Sequence, residues 1–476
     1  MSGSLSLLEH TKYTILSEDD LKLLRGLQDS LEVENCEFLG FDPREKTKPQ
    51  LFEELGGNTV QTGCYVGLLS YQGTTISIHS RFDGEQHLFL RYLMEKVWDI
   101  PVLLTPEGQV GSEQDLYILW LICQMAVQLQ TAWKKGTFRT YQSFDHYDSR
   151  VRGQLDIPRY IRLSMGLNDG RMAYRTREYS PDNPYNRLFL CAVNAAERKY
   201  RPLMRRLFQQ MPEYKAAVQF LRQQLPNWDQ DQPRVLMKRT KKKITHPVYR
   251  RYEDVRLTAR AILRWTGRES LATDKAVGIL LNMDKLWEKF LAKTLFQETQ
   301  EICQQRSFDS LGYPTHNPDK PIEYLTTVCP DFYWEDRDGG VVLDAKNRPV
   351  WGKFLKWSQK MKMNAELRQK MDEGSKDKLD KDDWRNIREN RYQVFSYMLA
   401  LNCAHGGVIF PVKRSEVDKD FLRPVDFQAF ESVENKKFWL IPFVIPNDVD
   451  TYEEFQGLVS RQAEKINPIK EGDFNG

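Results

Sequence analysis

The stretch that decides the fold is Cys329-Pro330-Asp331-Phe332-Tyr333-Trp334, followed after six residues by Val341-Val342-Leu343-Asp344-Ala345-Lys346. Each half reads as a short apolar strand, and the polar, glycine-containing residues between them are typical of a hairpin turn. Because side chains alternate along a strand, Asp344 and Lys346 are expected on one face, about 7 Å apart. Asp331 begins the neighbouring strand. The sequence therefore predicts that two carboxylates and a lysine converge, which suits a divalent metal and an attacking water.

This pattern resembles the PD-(D/E)xK nuclease signature, here as Pro330-Asp331 and Asp344-x-Lys346. A motif this short also arises by chance, and the alternative interpretation is a surface hairpin with solvated charges. The apolar run before Asp344 favours a buried strand, at whose end an unpaired charge would be costly. We therefore take Asp331, Asp344 and Lys346 as the candidate catalytic residues.

Two predicted helices strengthen the nuclease interpretation. The segment 392–399 brings Gln393 and Tyr397 to one helix face, and a Q-x-x-x-Y helix after the D-x-K strand recurs in several families of this fold. Gln393 and Tyr397 are expected to support the site. The segment 283–291 has a broad apolar stripe with Glu288 at its edge. Glu288 is predicted to join the two aspartates, through water, in holding Mg²⁺ or Mn²⁺.

Composition sets the outer limits of the interpretation. The chain has 476 residues, 41% of them hydrophobic, which suits two or three folded domains. Its net charge of +3 means that any affinity for nucleic acid must come from local patches. The seven cysteines are scattered and never spaced as C-x-x-C, which argues for reduced thiols. With no signal peptide and no long apolar run, the chain is expected to be cytoplasmic.

The pattern along the chain predicts a multidomain protein of α+β and α/β type with three regions. Residues 1–110 are expected to be β-rich, 111–268 mainly helical, and 269–476 a PD-(D/E)xK α/β domain. In the first region a hairpin is predicted around Gln72-Gly73, and in the second two amphipathic helices over 186–225. The charged stretch 353–389 is expected to be exposed helix.

The middle region carries a second signature. Its elements are Arg152-Gly153-Gln154-Leu155-Asp156, Tyr174-Arg175-Thr176-Arg177-Glu178-Tyr179 and Asp182-Asn183-Pro184-Tyr185-Asn186-Arg187-Leu188. Followed by the D-A-K hairpin, they resemble the McrC family, the endonuclease subunit of McrBC-type modification-dependent restriction systems. The resemblance spans about 63–412. The sequence departs from the family after Lys346, where Asn347-Arg348 replaces an aromatic residue and a second lysine.

The resemblance implies a partner and a substrate. In that family the N-terminal region docks on a hexameric AAA+ GTPase, McrB, and stimulates it, while the C-terminal domain cuts DNA. It implies double-stranded DNA with methylated cytosine, recognised by the partner. Asp182 is predicted to cap the helix that begins at Pro184 and presents Asn186 and Arg187. We expect Asn186 and Arg187, supported by Arg152, Asp156 and Arg177, to stimulate the GTPase; alternatively, they only brace the fold.

The chain contains no G-x-x-x-x-G-K-[ST] motif, so no nucleotide is expected to bind to it. The basic run Lys238, Arg239, Lys241, Lys242 and Lys243 reads as a flexible loop that could contact DNA phosphates without reading bases, or equally as a solvated loop.

Two other functions of the chain stay open. One is a stand-alone PD-(D/E)xK nuclease, and the other is a non-catalytic activator of an AAA+ NTPase.

Overall fold

The computed structural model describes residues 4–14, 17–31, 36–39, 49–56, 58–84, 87–98, 113–164, 170–266, 276–295, 303–304, 308–314, 322–336, 339–362, 379–416, 425–428 and 436–466. It divides into two compact units, residues 1–99 with 271–476, and residues 100–270. Within the described ranges no helix is both long and apolar enough to span a membrane. Residues 267–275 and 467–476 lie outside these ranges.

The strands described are β1 (Ser4–Leu8), β2 (Lys12–Thr14), β3 (Cys36–Leu39), β4 (Phe52–Gly56), β5 (Thr59–Thr62), β6 (Tyr65–Tyr71), β7 (Thr74–His79), β8 (Thr140–Asp148), β9 (Gln154–Leu155), β10 (Met172–Ser180), β11 (Val277–Asn282), β12 (Cys303–Gln304), β13 (Phe308–Pro314), β14 (Ile322–Val328), β15 (Phe332–Asp336), β16 (Gly339–Ala345), β17 (Cys403–Lys413), β18 (Val425–Gln428) and β19 (Lys437–Ile445). The α-helices described are α1 (Glu18–Ser30), α2 (Leu88–Trp98), α3 (Glu113–Trp133), α4 (Ile157–Ser164), α5 (Pro184–Lys199), α6 (Arg201–Gln210), α7 (Pro212–Gln224), α8 (Pro233–Arg239), α9 (Tyr252–Thr266), α10 (Met283–Thr294), α11 (Val350–Lys362), α12 (Lys381–Ala400) and α13 (Tyr452–Ile466).

The first unit contains a five-stranded sheet of order β1-β7-β6-β11-β3. The predicted hairpin is confirmed as β6 and β7, and its turn residues Gln72 and Gly73 both have positive φ, 48° and 79°. Strand β11 lies between β6 and β3. Gly67 permits this close pairing, since a Cβ atom there would lie 2.0 Å from the carbonyl oxygen of Ile279. A strand from far along the chain therefore completes the N-terminal sheet.

This shared strand changes the domain organisation that the sequence suggested. Residues 1–99 and 271–476 form one compact unit, whereas the sequence predicted separate domains over 1–110 and 269–476. The middle unit, 100–270, corresponds closely to the predicted region 111–268. Strand pairing across about 200 residues leaves no local signal in the sequence. A chain ending at Trp265 would lack β11, so it would leave the N-terminal sheet incomplete.

The first unit also contains a six-stranded mixed sheet of order β12-β15-β16-β17-β19-β18. Strands β16, β17 and β19 are mutually parallel, and their long apolar runs are buried, as expected for strands covered on both faces. Helices α11 and α12 pack on this sheet through Trp351, Val394 and Phe395, which share a core with Phe410 and Phe438. Leu355 and Ile387 are buried in the same core, so the predicted exposed helix over 353–389 is partly a core element, and its residues 363–378 lie outside the described ranges.

The second unit combines helices with a three-stranded sheet of order β8-β10-β9. The mainly helical character predicted for this region is seen in the long apolar helix α3. The prediction of two helices over 186–225 was wrong, because α5, α6 and α7 occupy this stretch. Pro202 and Pro212 each stand in the first turn of a new helix, and proline there cannot continue the hydrogen bonding of the preceding one.

Candidate functional site

The Asp331–Lys346 hairpin forms as strands β15 and β16, paired antiparallel with Phe332 opposite Leu343. Asp331 immediately precedes β15, and its Oδ2 accepts a 2.7 Å hydrogen bond from the backbone N–H of Ala345. Lys346 follows β16, and its own N–H donates to the carbonyl of Ile409 on β17 at 2.9 Å. The start of β15 and the end of β16 thus bring the side chains of Asp331, Asp344 and Lys346 together at one end of these two strands.

Asp331 and Asp344 form a close carboxyl pair. Asp344 is only 2% exposed, and the two side chains lie within hydrogen-bonding reach. Burial raises the pKa of Asp331, and the neighbouring Asp344 carboxylate raises it further. Asp331 therefore binds a proton more readily than an ordinary aspartate does, and a divalent cation could replace that proton.

Lys346 supplies the positive charge at this site. Its Nζ lies 2.7 Å from Oδ2 of Asp344 and donates to Oε1 of Gln393 at 3.4 Å. The Gln393 amide in turn donates to the hydroxyl of Tyr397 at 2.6 Å. Burial, together with the Asp344 charge, raises the pKa of Tyr397 to about 12, so it stays a neutral phenol. Gln393 and Tyr397 are thus placed to hold the lysine ammonium in position.

Glu288 lies on α10, which begins at the N-cap Asn282. Its Oε2 is 3.9 Å from Nζ of Lys285. Burial raises the pKa of Glu288, and the Asp344 charge adds to this effect, so the two carboxylates act on one another electrostatically. In the part of the chain that the structure describes, no three Asp, Glu, His or Cys side chains come close enough to hold a metal ion. Glu288 is therefore not close enough to the aspartate pair to complete a three-residue metal site among the described residues.

The residues at this site fit a divalent metal on chemical grounds. Two carboxylates face each other in a buried position, which raises the pKa of Asp331. Hard cations such as Mg²⁺ and Mn²⁺ prefer carboxylate oxygens and retain several water ligands, so two protein carboxylates are enough to anchor one. Asp331 and Asp344 would hold the ion directly, and Glu288 would reach it through water.

Asn186 and Arg187 occupy the start of α5, but the cap residue is Asn183 and the prediction of Asp182 was wrong. The Asn183 side chain accepts hydrogen bonds from the N–H groups of Tyr185 and Asn186. Asn183 lies three residues before Asn186 and so reaches the first free amides, whereas Asp182 is one residue too early to do so.

Asn186 is fully buried, 0% exposed, and its amide donates to the carbonyls of Phe138 and Pro181 at 2.8 and 2.7 Å. Arg187 makes a bidentate ion pair with Asp182 and a 2.7 Å contact with Asp231. Asp182 and Asp231 raise the pKa of Arg187. Both side chains therefore hold the helix start to its surroundings, and a direct contact of either with a partner stays a prediction.

The remaining residues of the middle signature lie on the small sheet of the second unit. Arg152 precedes β9, and its Nε lies 3.3 Å from the Tyr174 hydroxyl. Asp156 caps α4, where its Oδ1 accepts from the N–H of Arg159. Arg177 on β10 stacks over the exposed ring of Tyr141, 4.9 Å from its centre. Arg152 and Arg177 are exposed and Asp156 is half-buried, whereas Asn186 is fully buried and Arg187 is held by two carboxylates.

An exposed apolar surface, which was not predicted from the sequence, lies next to these residues. Helix α4 is amphipathic, yet its apolar side chains face outward, with Ile161 63% exposed and Ile157 47% exposed. Leu155 and Val151 just before the helix are also exposed. Ile157 and Ile161 are spaced i, i+4, a signal visible in the sequence, but the segment is too short to stand out among longer helices.

The basic run is exposed and anchored at both ends, which corrects its interpretation as a flexible loop. Lys238 and Arg239 form the last turn of α8, where cations favour the helix dipole. Thr240 and Ile244 are buried on either side of the three lysines. The Thr240 carbonyl accepts from Arg256 at 3.0 Å, and the Ile244 N–H donates to Glu253 at 2.8 Å. The lysines are thus held on a fixed turn.

Comparison with known proteins gives one family and a few structures. The family model for the McrBC 5-methylcytosine restriction system component matches residues 60–369. One similar structure is a refined half-complex from a tetradecameric assembly of Thermococcus gammatolerans McrB AAA+ hexamers with bound McrC. It is 14% identical with a TM-score of 0.46, and the match covers 97% of this chain and 100% of that one. Another, the cryo-EM structure of the Thermococcus gammatolerans McrBC complex, is 16% identical with a TM-score of 0.30, over 63% and 89% of the respective chains. No curated protein sequence gives a significant match.

Proposed function

Because the chain belongs to the family of McrBC 5-methylcytosine restriction system components, we propose that it is the McrC-like nuclease subunit of such a system. It would cut double-stranded DNA by metal-dependent hydrolysis within a PD-(D/E)xK-type domain. The observation that carries this proposal is the convergence of Asp331, Asp344 and Lys346 at one buried sheet edge. A hairpin whose charges served only solubility would leave them in water, since burying them without a function is costly.

The chain's own residues divide the chemistry between them. Asp331 and Asp344 would hold the Mg²⁺ or Mn²⁺ ion, which, when bound, stabilises charge on the scissile phosphate. The Lys346 ammonium would orient the attacking water and stabilise the hydroxide that forms as the water's proton leaves to solvent. Gln393 fixes the ammonium of Lys346 through their 3.4 Å contact, and Tyr397 fixes Gln393 in turn. Burial of Asp344 strengthens these interactions because water screens them less.

We propose an AAA+ GTPase of the McrB type as the partner and place its contact on the second unit. The exposed surface of β8, β10 and α4 combines charged residues with apolar ones, as protein interfaces do. Arg152, Asp156 and Arg177 lie there, so they are better placed to contact the GTPase than Asn186 and Arg187. Asn186 and Arg187 would act by holding α5 in place. Loss of stimulation in Arg187→Ala would then accompany lower thermal stability, because Asp182 and Asp231 would lose their cation.

Two alternative functions, a stand-alone nuclease and a non-catalytic activator, differ in which features of the chain they require. A stand-alone nuclease would cut without a GTPase, and the exposed surface around Ile161 would then have no use. A non-catalytic activator would not need the buried carboxyl pair, whose like charges destabilise the fold. A gene for a P-loop GTPase beside this one would favour the restriction system. Recognition of methylated cytosine would reside in that partner.

The anchored basic turn is proposed to contact DNA phosphates. Reversing Lys241, Lys242 and Lys243 to glutamate is expected to weaken DNA binding and to flatten its salt dependence. Each lost phosphate contact removes about 0.9 from the slope of log K against log salt, so the slope should fall by roughly 2–3. Fluorescence anisotropy with a DNA duplex at several salt concentrations measures this slope. Reversing Lys134, Lys135 and Lys215, exposed in the same unit, is the control. Equal slopes for both triple variants would show that the basic turn does not touch DNA.

A further inference from the structure

The turn between β1 and β2 is tied to the segment that carries Lys346. Glu9 in this turn is 0% exposed, and its Oε2 accepts a hydrogen bond from the Asn347 amide at 3.3 Å. Its Oε1 accepts from the Ser80 hydroxyl at 3.2 Å and lies 3.5 Å from Nη1 of Arg81. A carboxylate this deeply buried needs such partners to offset its lost hydration.

Arg81 links Glu9 to the main chain next to the catalytic lysine. Its Nη2 donates to the backbone carbonyl of Asn347 at 2.7 Å and to the Asn347 side-chain oxygen at 3.1 Å. Arg81 and Asn347 are both largely buried, with side-chain exposure of 10% for Arg81 and residue exposure of 2% for Asn347. Residues 346–348 belong to neither strand nor helix, so their position depends on such side-chain contacts.

The same turn also reaches the helix that carries Glu288. His10 has a left-handed backbone, with φ of 48°, and its Nε2 lies 3.5 Å from Oδ1 of Asp284. Asp284 lies one helical turn before Glu288 on α10. Adjacent residues of one turn therefore contact two elements of the site, the exit of β16 and the start of α10.

We propose that Arg81, held by the buried carboxylate of Glu9, is a positioning residue for Lys346. The pair fixes the backbone carbonyl of Asn347 and so limits how far the lysine can move from Asp344 and Gln393. Glu9 and Arg81, from the N-terminal part of the chain, then contribute to the nuclease machinery. This inference rests on the proposed nuclease function and extends it to residues that touch neither DNA nor metal.

The test separates positioning from simple stability. Arg81→Met alone leaves the Glu9 charge buried without its cation, so it is expected to unfold at lower temperature. The double variant Glu9→Gln, Arg81→Met removes both charges and is expected to recover thermal stability. Its cleavage should still be about 10–100-fold slower in kcat, as is usual for residues that orient catalytic groups, with KM for DNA and GTPase stimulation unchanged. Arg81→Lys keeps a cation for Glu9 but has no guanidinium fork to grip Asn347, so it should show the same loss in kcat.

A matched control is the exposed pair of Arg25 and Glu54, which makes two 2.7 Å contacts. The variant Glu54→Gln, Arg25→Met should leave kcat unchanged. Recovery of cleavage together with stability in the double Arg81 variant, or wild-type kcat in Arg81→Lys, would overturn the positioning role. If the wild-type chain itself failed to cut DNA with its GTPase, the proposed function would fail instead.

Discussion

Replacing Asp344 by asparagine is expected to abolish DNA cleavage, with a loss of 10³-fold or more, as is typical when charge stabilisation at a reacting centre is removed. Asparagine keeps the shape of the side chain and relieves the repulsion with Asp331, but it also loses the ion pair with Lys346, so a thermal melt should show that the variant still folds. Lys346→Ala should lose cleavage to a similar degree, because it removes the ammonium that lies 2.7 Å from Oδ2 of Asp344. GTPase stimulation should be unchanged in both variants.

The assay measures fragmentation of a methylated plasmid by the chain together with its AAA+ GTPase, GTP and Mg²⁺. Lys437→Ala is the matched control, since this lysine is exposed at the start of β19 in the same sheet. It should cut like the wild type. Cleavage within tenfold of wild type by Asp344→Asn or Lys346→Ala would remove these residues from the active site. Cleavage by the wild type without the GTPase would favour the stand-alone nuclease.

The second large effect concerns the partner. Replacing Ile161 by glutamate is expected to reduce affinity for the GTPase by about 10–100-fold, the usual range for an apolar residue central to an interface. Ile161 is 63% exposed on α4, so the change should leave the thermal stability of the isolated chain unaltered. DNA cleavage that depends on the GTPase should fall together with this affinity when the concentration of the chain is too low to saturate the GTPase.

Titrating the chain into the GTPase and measuring phosphate release gives the half-maximal concentration. Val235→Glu is the control, because Val235 is 48% exposed on α8 in the same unit. A shift with Ile161→Glu and none with Val235→Glu would place the interface at α4. Equal curves for all three proteins would move the interface elsewhere on the chain.

The sequence was informative where chemistry and local pattern coincide. Asp331, Asp344 and Lys346 could be placed together because strand periodicity fixes which side chains share a face. The Q-x-x-x-Y spacing likewise placed Gln393 and Tyr397 on one helix face, and in the structure Gln393 contacts the lysine while Tyr397 contacts Gln393. In both cases the sequence pattern that supports the prediction lies within a few residues of the side chains that it places.

Other features could not be predicted because they depend on contacts between distant residues. The Asn186 side chain is polar, yet it is buried, and its amide donates hydrogen bonds to the carbonyls of Phe138 and Pro181. No local sequence pattern reveals these contacts. From the sequence, Arg187 was expected to reach a partner, but in the structure it contacts Asp231, which is 44 residues away in the chain. Glu9 and Asn347 are 338 residues apart. Polar residues with such partners look like surface residues in a sequence.

If Asp331 and Asp344 hold a divalent metal, calorimetric titration of Mn²⁺ into the purified chain detects that binding directly. Because the pKa of Asp331 is raised, a proton competes with the metal at low pH. Binding should therefore be tighter at pH 8 than at pH 6, with protons released, as revealed by buffers of different ionisation enthalpy. Asp331→Asn should lose this binding, whereas Asp382→Asn, an exposed residue on α12, should retain it. Absence of Mn²⁺ binding by the wild type, or equal binding by Asp331→Asn, would contradict the assignment of a metal-dependent nuclease site.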